Sequence, residues 1–146
     1  MPDRPYILLV DDDRQVLRYL KAALADGGYD VTVATSGKRA LEIIQDRMPD
    51  LLILDLNMPE PDGFDVLKQE RSQYPHLRTI VISGYLQGAL LHAAKLFGAT
   101  ATLEKPIAPD ALVAKVREIL GSPSQFPSHK RLSLLDTDLL SRAPHL

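Results

Sequence analysis

Leu51-Leu52-Ile53-Leu54-Asp55, followed by Leu56-Asn57-Met58-Pro59-Glu60-Pro61-Asp62-Gly63, is an apolar run that ends in a carboxylate and breaks into a loop rich in proline, acid and glycine. A short, continuous apolar run is the pattern of a strand covered on both faces. Tyr6 to Val10, Val31 to Ala34, Thr79 to Ile82 and Thr100 to Leu103 are further β-type runs, and four of the five are nearly continuous in apolar or β-branched residues. Between them lie helix-type segments. Val16, Leu17, Leu20, Ala23 and Leu24 repeat at helical spacing before Gly27-Gly28, and Ala40, Ile43 and Ile44 do the same. So do Leu112, Val113, Val116, Ile119 and Leu120, with Pro109 suited to a first helical turn and Gly121 to a stop. Alternating βα units predict an α/β fold, a doubly wound parallel sheet with helices on both faces.

The 146 residues suit one domain with a real core, and a formal net charge of −2 leaves nothing basic enough for general nucleic-acid binding. With no cysteine, both a disulfide framework and a thiolate metal site are excluded. The N-terminus lacks the apolar core of a secretory signal and no stretch approaches a membrane span, so the expected location is the cytoplasm. The domain is expected over residues 1–121. Residues 122–146 then read as a linker and short tail in which Leu132 to Leu140 can form one amphipathic helix, too small to fold alone.

In a doubly wound sheet, ligands bind outside the carboxyl ends of the strands. Asp11-Asp12-Asp13, Asp55, Ser83 and Lys105 all fall at such ends. Facing carboxylates repel one another unless a cation joins them. Mg²⁺, which takes one or two carboxylates plus water and phosphate oxygens, suits them best, and Ca²⁺ shares the same oxygen donors. A carboxylate beside such an ion can act as nucleophile toward phosphorus and form an acyl phosphate. Lys105 would neutralise charge on the transferring oxygens and Ser83 would donate to one of them. The added charge, about −1.5 to −2, would pull Ser83 and the Gly84-Tyr85-Leu86 loop toward the site.

From about Tyr6 to Leu120 the residues resemble the receiver domain of two-component response regulators. Asp11 and Asp12 are similar to the family's acidic pair, with Asp12 the better candidate for direct metal ligation, and Asp55 resembles the phospho-accepting aspartate. Asn57 matches the position whose backbone carbonyl completes a site for Mg²⁺ or Mn²⁺. Pro59 with Asp62-Gly63 matches the following loop, Ser83 the switch hydroxyl, and Lys105-Pro106 the Lys-Pro pair whose peptide bond is commonly cis. The resemblance implies a flavodoxin-like fold of five strands in the order 2-1-3-4-5. It also implies a signalling phospho-acceptor rather than an enzyme, assisting its own metal-dependent phosphorylation and dephosphorylation. Its implied partners are a histidine kinase or phosphotransfer protein and a downstream protein target, met by the surface from about Gln87 to Leu120, with a homodimer as a further option. Neither nucleic acid nor membrane is an expected direct partner. Two positions modulate this picture. Thr102 stands three residues before the lysine, where receivers often carry Tyr or Phe, and Tyr85 occupies a place expected to shield the acyl phosphate from water.

Other readings compete for the same residues. Asp13 suits a helix start better than a metal site, and Asp62-Gly63 suits a turn. Asp11-x-Asp13 after the first strand also fits a phosphohydrolase of the haloacid dehalogenase type, although Gln15 stands where Thr or Val is expected and Asp55 would then have no role. A constitutive interaction module that keeps the fold without using phosphate is the third alternative. His76, His92, His129 and His145 lack ligand spacing and are expected at the surface, whereas Leu90, Leu91, Leu96 and Phe97 are expected in a helix core.

Overall fold

The computed structural model describes residues 4–58, 63–84 and 87–122, and the side chains among them except those of 64 and 87–91. Five strands, β1 (Tyr6–Val10), β2 (Asp30–Ala34), β3 (Leu51–Asp55), β4 (Arg78–Ser83) and β5 (Ala101–Glu104), alternate with five helices. These are α1 (Arg14–Asp26), α2 (Gly37–Asp46), α3 (Gly63–Gln73), α4 (Gln87–Leu96) and α5 (Pro109–Leu120). All strand pairs are parallel and the order is β2-β1-β3-β4-β5, so the chain reverses its direction of winding between β1 and β3.

The two-residue period of the strands divides their side chains between two cores. Leu8, Val10, Leu52, Leu54 and Val81 meet Ala40, Ile43 and Ile44 of α2, Val66 and Leu67 of α3 and Ala94 of α4. On the other face Ile7, Leu9, Leu51, Ile53, Ile80 and Ile82 meet Leu17, Leu20 and Leu24 of α1 and Leu112, Val113, Val116 and Leu120 of α5. Both faces are therefore dry, which is why β1 and β3 carry no polar residue until their carboxyl ends.

Local chemistry sets the helix boundaries. Asp13 caps α1, its Oδ1 accepting from the N–H of Gln15 at 2.9 Å and of Val16 at 3.3 Å, the helix-start role expected of it. The Ser36 hydroxyl caps α2 by accepting from the N–H of Arg39. Pro109 opens α5 and Gly121, at φ 84°, ends it. Arg71 ties the end of α3 to the next turn by donating to the carbonyls of Pro75 and Leu77.

Leu96 and Phe97 differ from expectation: they are 75% and 48% exposed. Ala94 is the α4 residue packed in the core, and a side chain two positions further lies about 200° around the helix from it. The side chains of Leu90 and Leu91 are outside those described, as are residues 123–146 of the expected linker and tail. His76 and His92 are exposed as expected. Among the described residues no helix is long and apolar enough to cross a membrane.

One glycine fixes how closely α3 approaches the sheet. A Cβ on Gly63 would lie 2.0 Å from the Asp55 carbonyl oxygen and 2.5 Å from the Leu56 Cα, so the helix start rests directly on the end of β3. Gly63 opens α3, so Gly63→Ala would gain less than the roughly 1 kcal/mol of helix propensity at an interior site, whereas the overlap is with backbone, which cannot swing aside, and overpacking of this kind costs about 1–3 kcal/mol or more. The net expectation is a lower urea midpoint with unchanged m-value. A stabilised variant would show that α3 does not sit this close.

Candidate functional site

The carboxyl ends of β1, β3, β4 and β5 open on one edge, and the strand order sets β1 beside β3. Asp11 and Asp55 are brought together there, only 2% and 1% exposed, while Asp12 faces solvent. One carboxylate oxygen from each of Asp11, Asp12 and Asp55 falls within 4.8 Å of the others. Lys105 reaches across from the end of β5, its Nζ 2.9 Å from Asp11 Oδ2 and 3.2 Å from Asp55 Oδ2. The lysine stem needs a clear lane. Gly84 provides it, since a Cβ there would lie 3.1 Å from Lys105 Cβ and 3.3 Å from its Cδ.

Backbone pairing continues past the strands and holds the edge in register. Asp11 N–H donates to the Ala34 carbonyl, Leu56 N–H to the Ile82 carbonyl and Lys105 N–H to the Ser83 carbonyl. The two buried acids are oriented further by local amides: Asp13 N–H donates to Asp11 Oδ1 at 2.9 Å, and Asn57 N–H donates to Asp55 Oδ1 at 3.0 Å. Ser83 is fully buried, and its hydroxyl donates to the side-chain Oδ1 of exposed Asn57 at 3.2 Å. The Lys105-Pro106 peptide bond is cis.

Burial pushes the Asp55 carboxyl up to about 6. The Asn57 amide opposes the shift, Asp11 adds to it by like-charge repulsion, and Lys105 opposes it. Burial alone would pull the Lys105 ammonium down, but its hydrogen bond to Asp11 and the charges of Asp55 and Asp11 outweigh that and hold it above the ordinary lysine value. The edge thus combines an excess of negative charge with one shared cation. A hard divalent cation fits this donor set, since such ions take one or two carboxylates and complete their coordination with water, and exposed Asp12 leaves the cluster open to solvent.

Asp11, Asp12, Asp55 and Lys105 form one cluster, and Ser83 with Asn57 forms a hydrogen-bonded pair beside it. Thr102 lies on β5 in register with Val81 and is half-buried. Tyr85, Pro59 and Asp62 lie outside the described residues. Three local features escape the sequence: the Ser83–Asn57 side-chain bond, the lane at Gly84 and the steric demand at Gly63. A glycine after the serine was a visible signal for the second, but what it makes room for depends on a residue 21 positions away.

Comparison with known proteins agrees with this geometry. The sequence profile of the response regulator receiver domain matches residues 7–117. "Response regulator MprA" of Mycobacterium sp. strain KMS is 38% identical over 141 residues, covering 95% of this chain and 60% of that protein. The chain therefore spans about three fifths of that relative. Among solved structures, a CheY-like response regulator receiver domain protein from Methanospirillum hungatei superposes with a TM-score of 0.77 at 28% identity, covering 84% of this chain and 98% of the other. The chemotaxis response regulator CheY4 of Vibrio cholerae gives 0.75 at 31% identity, covering 81% and 100%. With its five parallel strands in the order 2-1-3-4-5 and its acids and lysine gathered at their carboxyl edge, the chain belongs to the response regulator receiver domain family.

Proposed function

We propose that Asp55 accepts a phosphoryl group from a phosphohistidine of a histidine kinase or phosphotransfer protein, and that the modified domain presents a changed surface to a downstream protein. The observation that carries this reading is the placement of Asp55: buried, with Oδ1 held by the Asn57 amide and Oδ2 by Lys105, beside two further acids. In the transfer, an Asp55 oxygen forms the new O–P bond, the N–P bond of the donor breaks, and the electron pair returns to the imidazole nitrogen.

Asp11, Asp12, Asp55 and the Asn57 backbone carbonyl would hold Mg²⁺ or Mn²⁺, which when bound screens the acids and lowers the charge on the transferring oxygens. Lys105 already pairs with two carboxylates, and an incoming phosphoryl group competes for it as a stronger anion. Ser83 is positioned by Asn57 and would exchange that partner for a phosphoryl oxygen. Thr102 and Tyr85 would modulate the response, the first because a short side chain replaces a ring on β5, the second by restricting water. The domain then works as a phospho-acceptor that assists its own modification and reversal, without direct contact with nucleic acid or membrane. This role suits the cytoplasm. Residues 122–146 are proposed as a linker and tail beyond the receiver unit, and a homodimer is a further state the phosphorylated surface can adopt.

Incubation with acetyl phosphate and Mg²⁺ should add one phosphate, read by intact mass. Asp55→Asn should add none, and EDTA should abolish the modification of the native chain. Modification that persists in Asp55→Asn would remove Asp55 from this role.

The pH dependence follows from the raised pKa of Asp55. The folded state holds this proton more tightly than the unfolded chain, so stability falls as pH rises from 3.8 through about 6, and the cost of burying the charge is complete above that. In EDTA, Asp55→Asn should therefore be more stable than the native protein at pH 7.5, by roughly 1–3 kcal/mol, and nearly equal to it at pH 4. Denaturant titrations at the two pH values check this, and a destabilised Asn variant at pH 7.5 would contradict it.

A further inference from the structure

A second buried acid lies away from the site. Glu70 of α3 is fully buried; the Thr79 hydroxyl donates to its Oε1 at 3.1 Å, and its Oε2 has no hydrogen-bond partner among the described residues. It enters the core layer between α3 and the sheet. Charges on the surrounding elements point elsewhere. On α3 itself, Asp65 and Lys68 form an exposed pair, and Arg71 is occupied by the Pro75 and Leu77 carbonyls. Lys38, Arg39, Glu42 and Asp46 of α2 and His92 and Lys95 of α4 are exposed, and Arg78 of β4 donates to the Ile119 carbonyl at the end of α5. No ion pair forms on Glu70 among the described residues. Burial pushes its carboxyl up to about 7, opposed only by the Thr79 bond and the charge of Arg71.

The position of this pair links it to the site. Glu70 lies seven residues, or two turns, after Gly63, so the two share a face of α3 about 10 Å apart along the helix. Gly63 rests on Asp55 and Glu70 rests on Thr79. Thr79, Val81 and Ser83 share one face of β4, because strand side chains alternate. Both elements joined by the Glu70–Thr79 bond therefore end at the phosphoacceptor edge.

We propose that Glu70 and Thr79 form a proton-operated latch between α3 and β4, closed when Glu70 is neutral and released when it ionises. Ionisation strengthens the Thr79 bond to Oε1, but the desolvation of the charge, with Oε2 unpaired among the described residues, outweighs it, and the helix must move to hydrate the carboxylate. The direction is fixed by linkage. The folded state binds the proton more tightly than the unfolded chain, so the stability the proton contributes is greatest below pH 4.5 and is lost as pH rises through about 7. Proton release would loosen the elements that carry Gly63 and Ser83 without touching the acids of the site.

The test is amide hydrogen exchange, corrected for intrinsic rates, at pH 6 and 8.5 on the full chain in EDTA. Native protein should lose protection over α3 about tenfold between these pH values, with smaller losses in α1 and α5. Glu70→Gln should show no such drop. Thr79→Val, which removes the bond that lowers the Glu70 pKa, should move the midpoint of the drop to higher pH. Matching profiles for native protein and Glu70→Gln would overturn the latch, as would a loss spread evenly over all helices. Should Glu70→Gln fail to fold, the Thr79→Val midpoint decides, an unshifted value overturning the proposal. No phosphodonor enters the experiment, so its result is independent of whether Asp55 is phosphorylated.

Discussion

Two carboxylates buried side by side would drive their strands apart, and the Lys105 ammonium shared between Asp11 and Asp55 is what opposes this. The arrangement needs the whole topology. Asp11 and Asp55 become neighbours because β1 and β3 pair across a crossover, whereas Lys105 comes from the end of β5 and has to pass β4 to reach them. Gly84 keeps that passage open and the Ser83 carbonyl holds the Lys105 amide at its start. A shift of β5 by one residue would turn the lysine to the other face and leave the acids uncompensated.

The same cluster leaves an imbalance. One ammonium serves two buried acids, and a third, Asp12, stands at the rim. Burial raises the Asp55 pKa and repulsion from Asp11 adds to it, more than the Asn57 amide and Lys105 offset. Such a centre favours the arrival of a cation and makes Lys105 the natural partner of any incoming anion. Under the function proposed here, these are the two events that precede phosphoryl transfer, and the cation offsets the negative charge that the anion adds to the cluster.

Much of this could be read in advance because the decisive signals are local. Apolar runs marked the strands, Asp13 and Pro109 marked helix starts, and the acids, serine and lysine stood one per strand end. The strands extend to include Asp55 and Ser83, polar residues whose backbones still pair with Ile82 and Glu104. The segment that becomes α3 lacks a clear apolar period, and Glu70 explains why. After Gly63, Val66 and Leu67, the helical period calls for an apolar side chain at position 70, and an acid stands there instead. Its burial depends on Thr79, a strand residue nine positions away, and neither residue alone announces the pair. Leu96 and Phe97 are exposed for the opposite reason, apolar residues of which the first is turned off the face that Ala94 sets on the core and the second follows the end of α4.

α3 is thus held by unusual means for a helix that begins against Asp55. Helices α1 and α5 each set an apolar stripe on the sheet, Leu17, Leu20 and Leu24 in one and Leu112, Val113, Val116 and Leu120 in the other. α3 instead replaces part of its stripe with a carboxyl–hydroxyl contact and begins on a glycine packed against backbone. An apolar contact is indifferent to pH and tolerant of small displacements, because dispersion and burial vary smoothly with position. A buried carboxyl is neither, since one proton decides whether it carries a charge. Under the latch proposed above, the packing of the helix that leans on Asp55 changes with a single proton, whereas the stripes that α1 and α5 set on the sheet are apolar.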